Sequence, residues 1–422
     1  MPRLLESAIS VPACGATGHA KPLCTQPEFC PNPVCRFHSR AAAARYQWYL
    51  RFGRFYTRSR GWIQRFRCSR CGRTCSTQTF SIHYWTHSTN DLQWLLGHFG
   101  TCSGLRQTAR VAGVTHRVIH NRCRRLARNA LALMDCALEG FGLKENIAMD
   151  GFESFTRSQY HPNNITHITG SRSQFIYAAV HTLFRRKGSM TATQKRRRAL
   201  IDAVWKPSPS IRADCTALLA DLAAAIDAGC ATAAKHTGQL IVDTDKHGAY
   251  PKAIASVPAL AARLADGSLR HRRTASREPR TRSNPLFPVN YVDRQMRLSM
   301  AEFVRETVRH AREVNSQMER TVIFMMVHNF ATPHRVDGRA RVCHAQTHAD
   351  VAGIAGERLQ WLLARMLTHR HLYSHTSARH AWIRRIWAHE YENPPVVRLN
   401  KGVVCQRSVA LTAAEMPKYL IA

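Results

Sequence analysis

Residues 240–251 read LIVDTDKHGAYP, a short apolar run that ends in acids and a turn. Residues 240–242 are expected to form a buried strand, and Asp245 lies just past its end. A carboxylate in that position is more often a turn or helix cap than a catalytic group. The stretch therefore predicts an α/β fold, while its chemistry depends on which other acids meet Asp245.

Two further acids lie at comparable places. Asp150 occurs in NIAMDGFESF (146–155), which is followed by the strand-like run FIYAAVHT (175–182), and Asp293 lies in NPLFPVNYVDRQMR (284–297) at the entrance of an expected long basic helix. Carboxylates brought together repel one another, so such clusters persist best around divalent cations. Two Mg²⁺ or Mn²⁺ ions held this way activate a water or a 3′-hydroxyl and stabilise the leaving oxygen of a phosphodiester.

The charge of the chain points to a polyanionic partner. Its 422 residues carry 61 Lys and Arg against 27 Asp and Glu, a formal net charge of +34. Nucleic acid is the favoured partner because basic faces release counterions from phosphates, and an anionic membrane surface is the alternative. We expect no membrane span, since no run of about 18 uncharged apolar residues occurs, and no secretory signal. A cytoplasmic, nucleoid-associated protein is therefore expected.

Seven of the 14 cysteines fall within the first 75 residues. A reducing cytosol argues against disulfides there, so the cluster favours a metal. A C-x4-C pair and a C-x2-C pair, separated by strand-like aromatic residues, are typical of a zinc ribbon with four thiolate ligands. The predicted zinc ligands are Cys30, Cys35, Cys68 and Cys71.

Alternatives to this ligand set remain open at the level of sequence. Cys24 or His38 can replace one member of the first pair, and reduced thiols in a small hydrophobic cluster are a further possibility. Cys75 is expected to pack as a small apolar residue, and Cys14 has no assignment.

A helix-turn-helix pattern follows in SGLRQTARVAGVTHRVIHNRCRRLAR (103–128). Its apolar spacing predicts a helix that ends at Ala112, a glycine turn, and a second helix from about Thr115. Such a second helix can enter the major groove of DNA. The alternative is an ordinary helical hairpin with a solvated basic face. The predicted DNA contacts on the second helix are Arg117, Asn121 and Arg122.

The order of these parts resembles that of DDE/D-type bacterial insertion-sequence transposases with an N-terminal zinc ribbon and helix-turn-helix. Seven pieces between about residues 30 and 335 carry the resemblance, with a weaker continuation at THADVAGI (347–354). They are QRFRCSRCGRT with STQTF (64–80), LRQTARVAGV (105–114), MDGFESF (149–155), RRKGSMTATQKRRR (185–198), TDKHGAYPKAI (244–254), RTRSNPLFPVNYVDRQMR (280–297) and MMVHNFATPHR (325–335).

The resemblance implies an RNase H-like mixed-sheet catalytic domain that nicks transposon ends and joins them by the freed 3′-hydroxyl. It implies Asp150, Asp245 and Asp293 as the catalytic, magnesium-binding acids, and the tyrosine five residues on favours Asp245 over Asp243. Asp293 stands where many relatives have Glu, so Glu302 is the runner-up for the third acid. Glu153 is expected either to assist Asp150 or to be a surface charge.

Basic residues flank the predicted site. Arg294 and Arg297 are the phosphate contacts implied by the resemblance. The stretches 184–200 and 269–283 are expected to be either solvated loops or clamps on the DNA backbone. The predicted clamp residues in the first stretch are Arg196, Arg197 and Arg198.

The sequence predicts a multidomain α/β protein with four parts: a zinc-ribbon region (1–85), a helix-turn-helix domain (86–140), an RNase H-like domain (141–335) with a helical insertion at about 207–238, and a basic helical region (336–422) containing Trp361, Trp382 and Trp387. The expected partner is double-stranded DNA, and synapsis of two ends implies a homodimer or larger. A transcription regulator, a binding-only transposase derivative and a nuclease of the same fold are the alternatives.

Overall fold

The structure is a computed structural model that describes residues 26–58, 60–86, 91–207, 210–233, 239–275, 277–304, 307–334, 346–354, 356–370, 380–398 and 402–404. Cys14 and Cys24 lie outside the described residues, as does much of the predicted C-terminal region.

A small antiparallel sheet forms the N-terminal part. It follows a 3-10 turn (Arg36–His38) and helix α1 (Arg40–Arg45), and its strands in order are β1 (Tyr49–Thr57), β2 (Gly61–Cys68) and β3 (Thr74–Ser76). Aromatic and cysteine side chains fill a core of their own beneath it, including Phe29, Trp48, Phe66 and Phe80. So few apolar residues make a marginal core, which is where a metal cluster adds most.

Three helices come next: α2 (Leu92–Phe99), α3 (Leu105–Val111) and α4 (His116–Ala137). Asp91 caps α2 by accepting hydrogen bonds from the backbone N–H groups of Gln93 and Trp94. Gly113, with φ +64°, makes the turn between α3 and α4. The two predicted helix boundaries here are confirmed, since Ala112 follows α3 and Thr115 precedes α4.

A mixed five-stranded sheet forms the centre of the protein. Its strands are β4 (Ile147–Phe155), β5 (Pro162–Gly170), β6 (Ile176–Leu183), β7 (Leu240–Asp245) and β8 (Leu269–Thr274), in the spatial order β6-β5-β4-β7-β8. The β4-β5-β6 pairs are antiparallel, whereas β4-β7 and β7-β8 are parallel. Parallel pairs need crossover connections, and helices supply them.

Helices cover this sheet and continue to the C-terminal side. They are α5 (Ala192–Val204), α6 (Ile211–Ala233), α7 (Ala249–Ala255), α8 (Pro258–Ala265), α9 (Phe287–Ser299), α10 (Val314–Ala331), α11 (His348–Ala352), α12 (Glu357–Arg365) and α13 (Ala381–Trp387), followed by the antiparallel pair β9 (Val396–Arg398) and β10 (Gly402–Val404). Among the described residues, no helix is both long and apolar enough to cross a membrane.

The helix expected at about 207–238 is α6 (Ile211–Ala233), which lies in the connection between β6 and β7. Helix α6 packs on β6 and α7, and it buries Leu218, Leu219, Leu222 and Ile226 in the main core. This helix is part of the connection from β6 to β7. Its many alanines have small side chains, which allow it to pack closely on its neighbours.

The described C-terminal helices are also integral to that core. Trp382 and Trp387 are buried, and one continuous cluster of buried residues runs from Ile82 to Tyr391. The predicted boundaries at 140/141 and 335/336 therefore do not separate independent cores. Helix α9 is shorter than the expected long basic helix because it ends at Ser299.

A buried ion network joins α4 to α10. Glu319 is fully buried, and its Oε1 lies 2.6 Å from Arg128 Nη1 and 2.5 Å from His389 Nε2. Burial alone would raise the pKa of Glu319, but Arg128, His389 and Arg124 lower it to about 2. Helix α4 thus carries arginines on its buried side because an acid from α10 neutralises them.

We expect Glu319→Gln to lower the free energy of unfolding by about 3–5 kcal/mol at pH 7, because it leaves Arg128 uncompensated in the interior. The pKa of Glu319 is depressed in the folded state, so its contribution is present above about pH 5 and is lost as the pH falls toward 2. Denaturant unfolding of both proteins should show their stability difference shrinking below pH 5. Exposed Glu153→Gln is the control, and a pH-independent difference would contradict the network.

Candidate active site and metal centre

Two of the predicted catalytic acids lie on adjacent parallel strands. Strand β4 pairs with β7 only from Ile147 to Met149, the last pair being Met149 with Thr244. Asp150 and Asp245 are the next residue of each strand, so they stand side by side where the two strands diverge. The carboxyl ends of neighbouring parallel strands are where α/β sheets gather functional side chains.

The third predicted acid reaches the same place from helix α9, which packs across β4 and β5. Asp150 is directly paired in register with His167 on β5, and His167 Nε2 lies 3.0 Å from Asp293 Oδ1. A carboxylate only accepts, so Nε2 donates, and in the neutral ring Nδ1 accepts from the Thr169 hydroxyl at 2.9 Å. Buried His167 therefore fixes Asp293 relative to Asp150.

The electrostatics of Asp150 show that the three acids interact. Burial, together with the negative charges of Asp245 and Asp293, raises the pKa of Asp150 to about 6, although the hydrogen bond from the Gly151 backbone acts to lower it. Tyr250 on α7 donates its hydroxyl to Asp150 Oδ1 at 3.4 Å. A crowded set of carboxylates with one raised pKa is an arrangement that a cation would relieve.

The other acids considered have different partners. Asp243 is buried and makes a two-point contact with Arg272, Nε–Oδ1 at 2.5 Å and Nη2–Oδ2 at 3.0 Å. Glu302 is buried 2.8 Å from Arg320 Nε and lies beyond the end of α9. Glu153 is exposed, and strand alternation turns it to the face opposite Asp150.

Two arginines stand on the same helix as Asp293. Arg294 is exposed and lies over the ring of Tyr291, with 6.0 Å from Cζ to the centroid. Arg297 is half-buried and lies over the ring of Phe152 at 4.5 Å. Both positively charged groups therefore lie near the acids, with aromatic rings beneath them.

The four predicted zinc ligands converge at the end of the small sheet. The sulfur atoms of Cys30 and Cys71 are 3.5 Å apart, and those of Cys35 and Cys68 are 3.9 Å apart. All four sulfurs lie within 4.8 Å of one another. A tetrahedral Zn²⁺ with bonds of about 2.3 Å places its sulfurs about 3.8 Å apart, so the set fits a structural metal such as zinc.

Two residues near the cluster, His38 and Cys75, have positions that leave the four-cysteine ligand set unchanged. His38 is not needed as a ligand, and its Nδ1 lies 2.8 Å from the carbonyl oxygen of Cys30. Cys75 is buried in the hydrophobic cluster of the small sheet, as expected of an apolar residue. Within the described chain, the four cysteines are the only group of three or more potential ligands whose atoms come so close together.

The predicted DNA contacts on helix α4 divide into two groups. Arg117 is exposed and Asn121 half-buried near the start of the helix. Arg122 is only 2% exposed, and burial lowers its pKa to about 10, so the expectation that it reaches DNA does not fit its position. The next turns of α4 face the core, which withdraws Arg122 from the surface.

A cavity of about 500 Å³ opens beside the start of α3 and α4. Its lining carries more positive than negative side chains and includes Arg106, Arg110, Arg309, Arg312 and Glu313. Basic groups from distant parts of the sequence therefore share one concave surface next to Arg117.

The predicted backbone clamps are partly helix and strand rather than loops. Arg196 is exposed and Arg197 half-buried on α5, whereas Arg198 is buried and pairs with Asp202, Nε–Oδ2 at 3.1 Å. Arg198 is therefore a structural ion pair, which corrects the clamp prediction at that position. In the second stretch, residues 269–274 form the edge strand β8, and its Arg272 neutralises Asp243.

Sequence analysis missed His167, although it is the group that holds Asp293. A polar residue within the β-branched run NITHITG (164–170) was the available signal. Comparison of the chain with models of known protein families, with curated proteins and with solved structures finds no match.

Proposed function

We propose that this protein is a transposase of the DDE/D type, which cuts DNA strands and joins the freed 3′ ends to a target. The observation that carries the proposal is the meeting of Asp150, Asp245 and Asp293 from β4, β7 and α9, with the pKa of Asp150 raised by burial and by the other two acids. The strand order, with one antiparallel three-stranded half and two parallel strands beyond β4, is that expected of an RNase H-like domain.

We infer that the three acids would hold two divalent ions, because cleavage and joining of a phosphodiester use one ion to activate the attacking hydroxyl and one to stabilise the leaving oxygen. Ions about 4 Å apart, each about 2.1 Å from its oxygen ligands, can be spanned by outer carboxylates up to about 8 Å apart. Bound Mg²⁺ or Mn²⁺ would lower the pKa of the attacking hydroxyl and stabilise charge on the leaving oxygen.

The protein's own residues supply the remaining functions. Asp150 is the central acid of the site. It lies between Asp245 on β7 and Asp293, which is hydrogen-bonded to His167. Arg294 and Arg297 lie on the helix of Asp293, where they would contact the phosphates that flank the scissile bond. The overall charge of +34 favours a DNA substrate over a small phosphoester.

DNA recognition is proposed for the N-terminal part. The cysteine cluster would hold Zn²⁺ as a zinc ribbon, and helices α3 and α4 would dock as a helix-turn-helix with Arg117 and Asn121 toward bases. Synapsis of two DNA ends then calls for at least a dimer.

The experiment is a cleavage assay on supercoiled plasmid that carries the DNA flanking this gene. We expect nicking at defined positions that depends on Mg²⁺ or Mn²⁺ and leaves 3′-hydroxyl ends, followed by joining of those ends to target DNA. End binding without any metal-dependent cleavage would favour the regulator or binding-only alternative. Cleavage without joining would favour a nuclease.

Base recognition by α4 is tested with a matched pair of exposed arginines. Arg117→Ala should weaken binding to the flanking DNA by roughly 5- to 100-fold while random DNA is bound almost as before, because base-edge contacts carry discrimination of about 1–3 kcal/mol. Arg196→Ala should weaken both equally and reduce the salt dependence by about one ion. Fluorescence anisotropy at several salt concentrations measures both, and identical behaviour of the two variants would remove α4 as the reader.

A further inference from the structure

The β1–β2 hairpin has no buried face along most of its first strand. Every residue from Leu50 to Tyr56 is exposed, although a strand in a two-layer protein normally hides alternate side chains. A bulge interrupts the pairing between Arg51 and Arg54, and Gly53 takes φ +70° there, a value that suits glycine. The first strand therefore exposes side chains on both of its faces, whereas β2 buries Ile63 and Phe66.

Large aromatic side chains cover this exposed surface. Tyr56 is 62% exposed and Trp62 is 59% exposed, and their rings contact edge to face at 5.7 Å. Phe52 and Phe55 are also exposed. Exposed rings of this size cost free energy in water, so a contiguous set of them marks a binding surface.

Arginines are interleaved with these rings. Arg54 Cζ lies 4.7 Å from the centre of the Trp62 ring, and Arg65 and Arg67 lie 5.3 and 5.6 Å from that of Phe52. Trp62 and Phe52 thus each have a cation beside them, which places a phosphate-binding group next to a stacking group.

A groove of about 850 Å³ adjoins the hairpin. Its lining includes Phe55 and Arg58 from the hairpin and Tyr84 and Trp85 from the segment after the small sheet. Trp85 is 76% exposed and has φ +55°, a strained backbone for a bulky residue. Strain that holds an indole open to solvent is typical of a ligand contact rather than of packing.

The charge of the N-terminal part limits which molecules can bind to the hairpin and the groove. Residues 29–90 contain eleven arginines and no Asp, Glu or Lys. A second copy of the chain would bring two such surfaces together and repel itself, whereas a polyanion is attracted. Duplex DNA offers phosphates but hides the faces of its bases, so it would leave the rings in water. Unpaired bases expose both phosphates and aromatic faces.

We propose that the β1–β2 hairpin, with the groove at Trp85, binds single-stranded DNA by stacking bases on its aromatic rings and pairing phosphates with its arginines. This binding needs no cleavage chemistry. Only its role, to hold the strand unpaired beside a cut end, rests on the proposed function.

The test compares two replacements of one exposed ring, Trp62→Phe and Trp62→Leu. Phenylalanine keeps a flat aromatic face and leucine keeps only apolar area. We expect Trp62→Leu to bind a labelled oligothymidine of about 20 nucleotides roughly tenfold more weakly than the original protein, and Trp62→Phe to stay within about threefold of it. Binding of a duplex of the same length should change little in both variants.

The assay is fluorescence anisotropy without divalent metal. The full chain carries Asp150→Asn in every variant, so that cleavage of the oligonucleotide cannot affect the measured binding. Unchanged thermal midpoints and metal content show that the variants fold, as expected from the exposure of Trp62. Val204→Ala, which truncates an exposed apolar residue at the end of α5 and away from the hairpin, is the matched control.

Three outcomes would overturn the proposal. Equal binding of oligothymidine by both Trp62 variants and the original protein would mean that the rings do not stack on bases. Equal weakening on single strand and duplex would indicate a surface that contacts only the backbone. A loss in Trp62→Leu of binding to vesicles containing phosphatidylserine, with DNA binding intact, would assign the surface to a membrane.

Discussion

Replacement of Asp150, Asp245 or Asp293 by asparagine is expected to lower metal-dependent DNA nicking by roughly 10³-fold or more, a loss of several kcal/mol of transition-state stabilisation. Asparagine keeps the shape of the side chain but removes the charge that neutralises the ions. Asp150 has the widest role because it interacts with both other acids. Rates of nicking on the plasmid with flanking DNA, measured at saturating Mg²⁺ and again with Mn²⁺, provide the comparison.

Binding of flanking DNA should survive all three replacements, since the proposed recognition helices lie elsewhere in the chain. Glu153→Gln is the control for a lost carboxylate on the same strand, because Glu153 is exposed on the opposite face. It should cut at the original rate.

The neighbouring buried acids give a different expected result. Asp243→Asn and Glu302→Gln each leave an arginine without its acid, Arg272 and Arg320 respectively, so they should lower the thermal midpoint while residual cleavage remains. An active Asp293→Asn protein together with an inactive but folded Glu302→Gln protein would move the third acid to Glu302. Nicking at the original rate in all three Asp variants would end the proposed mechanism.

Local signals in the sequence predicted some features closely. Gly113 sets the boundary between α3 and α4, because a glycine with positive φ acts within one turn of the chain. The cysteine pairs were equally local, since each spacing forms one metal-binding turn. Apolar runs also predicted β6 and β7 close to their observed places.

Contacts between residues far apart along the chain were not predicted from the sequence. Nothing in the sequence around His167 says that it faces Asp150 across β4 and β5, because register depends on the whole hairpin. The same holds for Glu302, whose partner Arg320 is 18 residues away on another element. Such contacts are decided by the packing of α9 and α10.

Buried arginines caused the clearest error. The sequence predicts Arg122 as a DNA contact, but Arg122 and, two turns further on, Arg128 are buried in the core, where Glu319 from α10 compensates Arg128. Patterning rules treat charge as exposed, and they fail when an acid nearly 200 residues away provides the counter-charge. Because α4 belongs to the main core, the predicted helix-turn-helix part and the predicted catalytic part share one core.

Removal of metal from the four-cysteine cluster is expected to unfold the small sheet while the central sheet remains folded. Structural zinc contributes apparent free energies of about 10–16 kcal/mol in isolated zinc modules, far more than the few aromatic residues beneath β1–β3 can supply. Without the ion, burial raises the pKa of Cys30 and Cys35, so the free thiols offer little attraction in its place. The main core from Ile82 onward has no such dependence.

The measurement combines metal analysis with unfolding. Cys68→Ala should reduce bound zinc from one equivalent to near none and make residues of β1 and β2 rapidly exchanging in amide hydrogen exchange, with strands β4 and β7 still protected. Cys75→Ala is the matched control, because Cys75 is buried in the same cluster but lies outside the ligand set. A Cys68→Ala protein that keeps its zinc and its protected hairpin would show that the four sulfurs do not bind the ion.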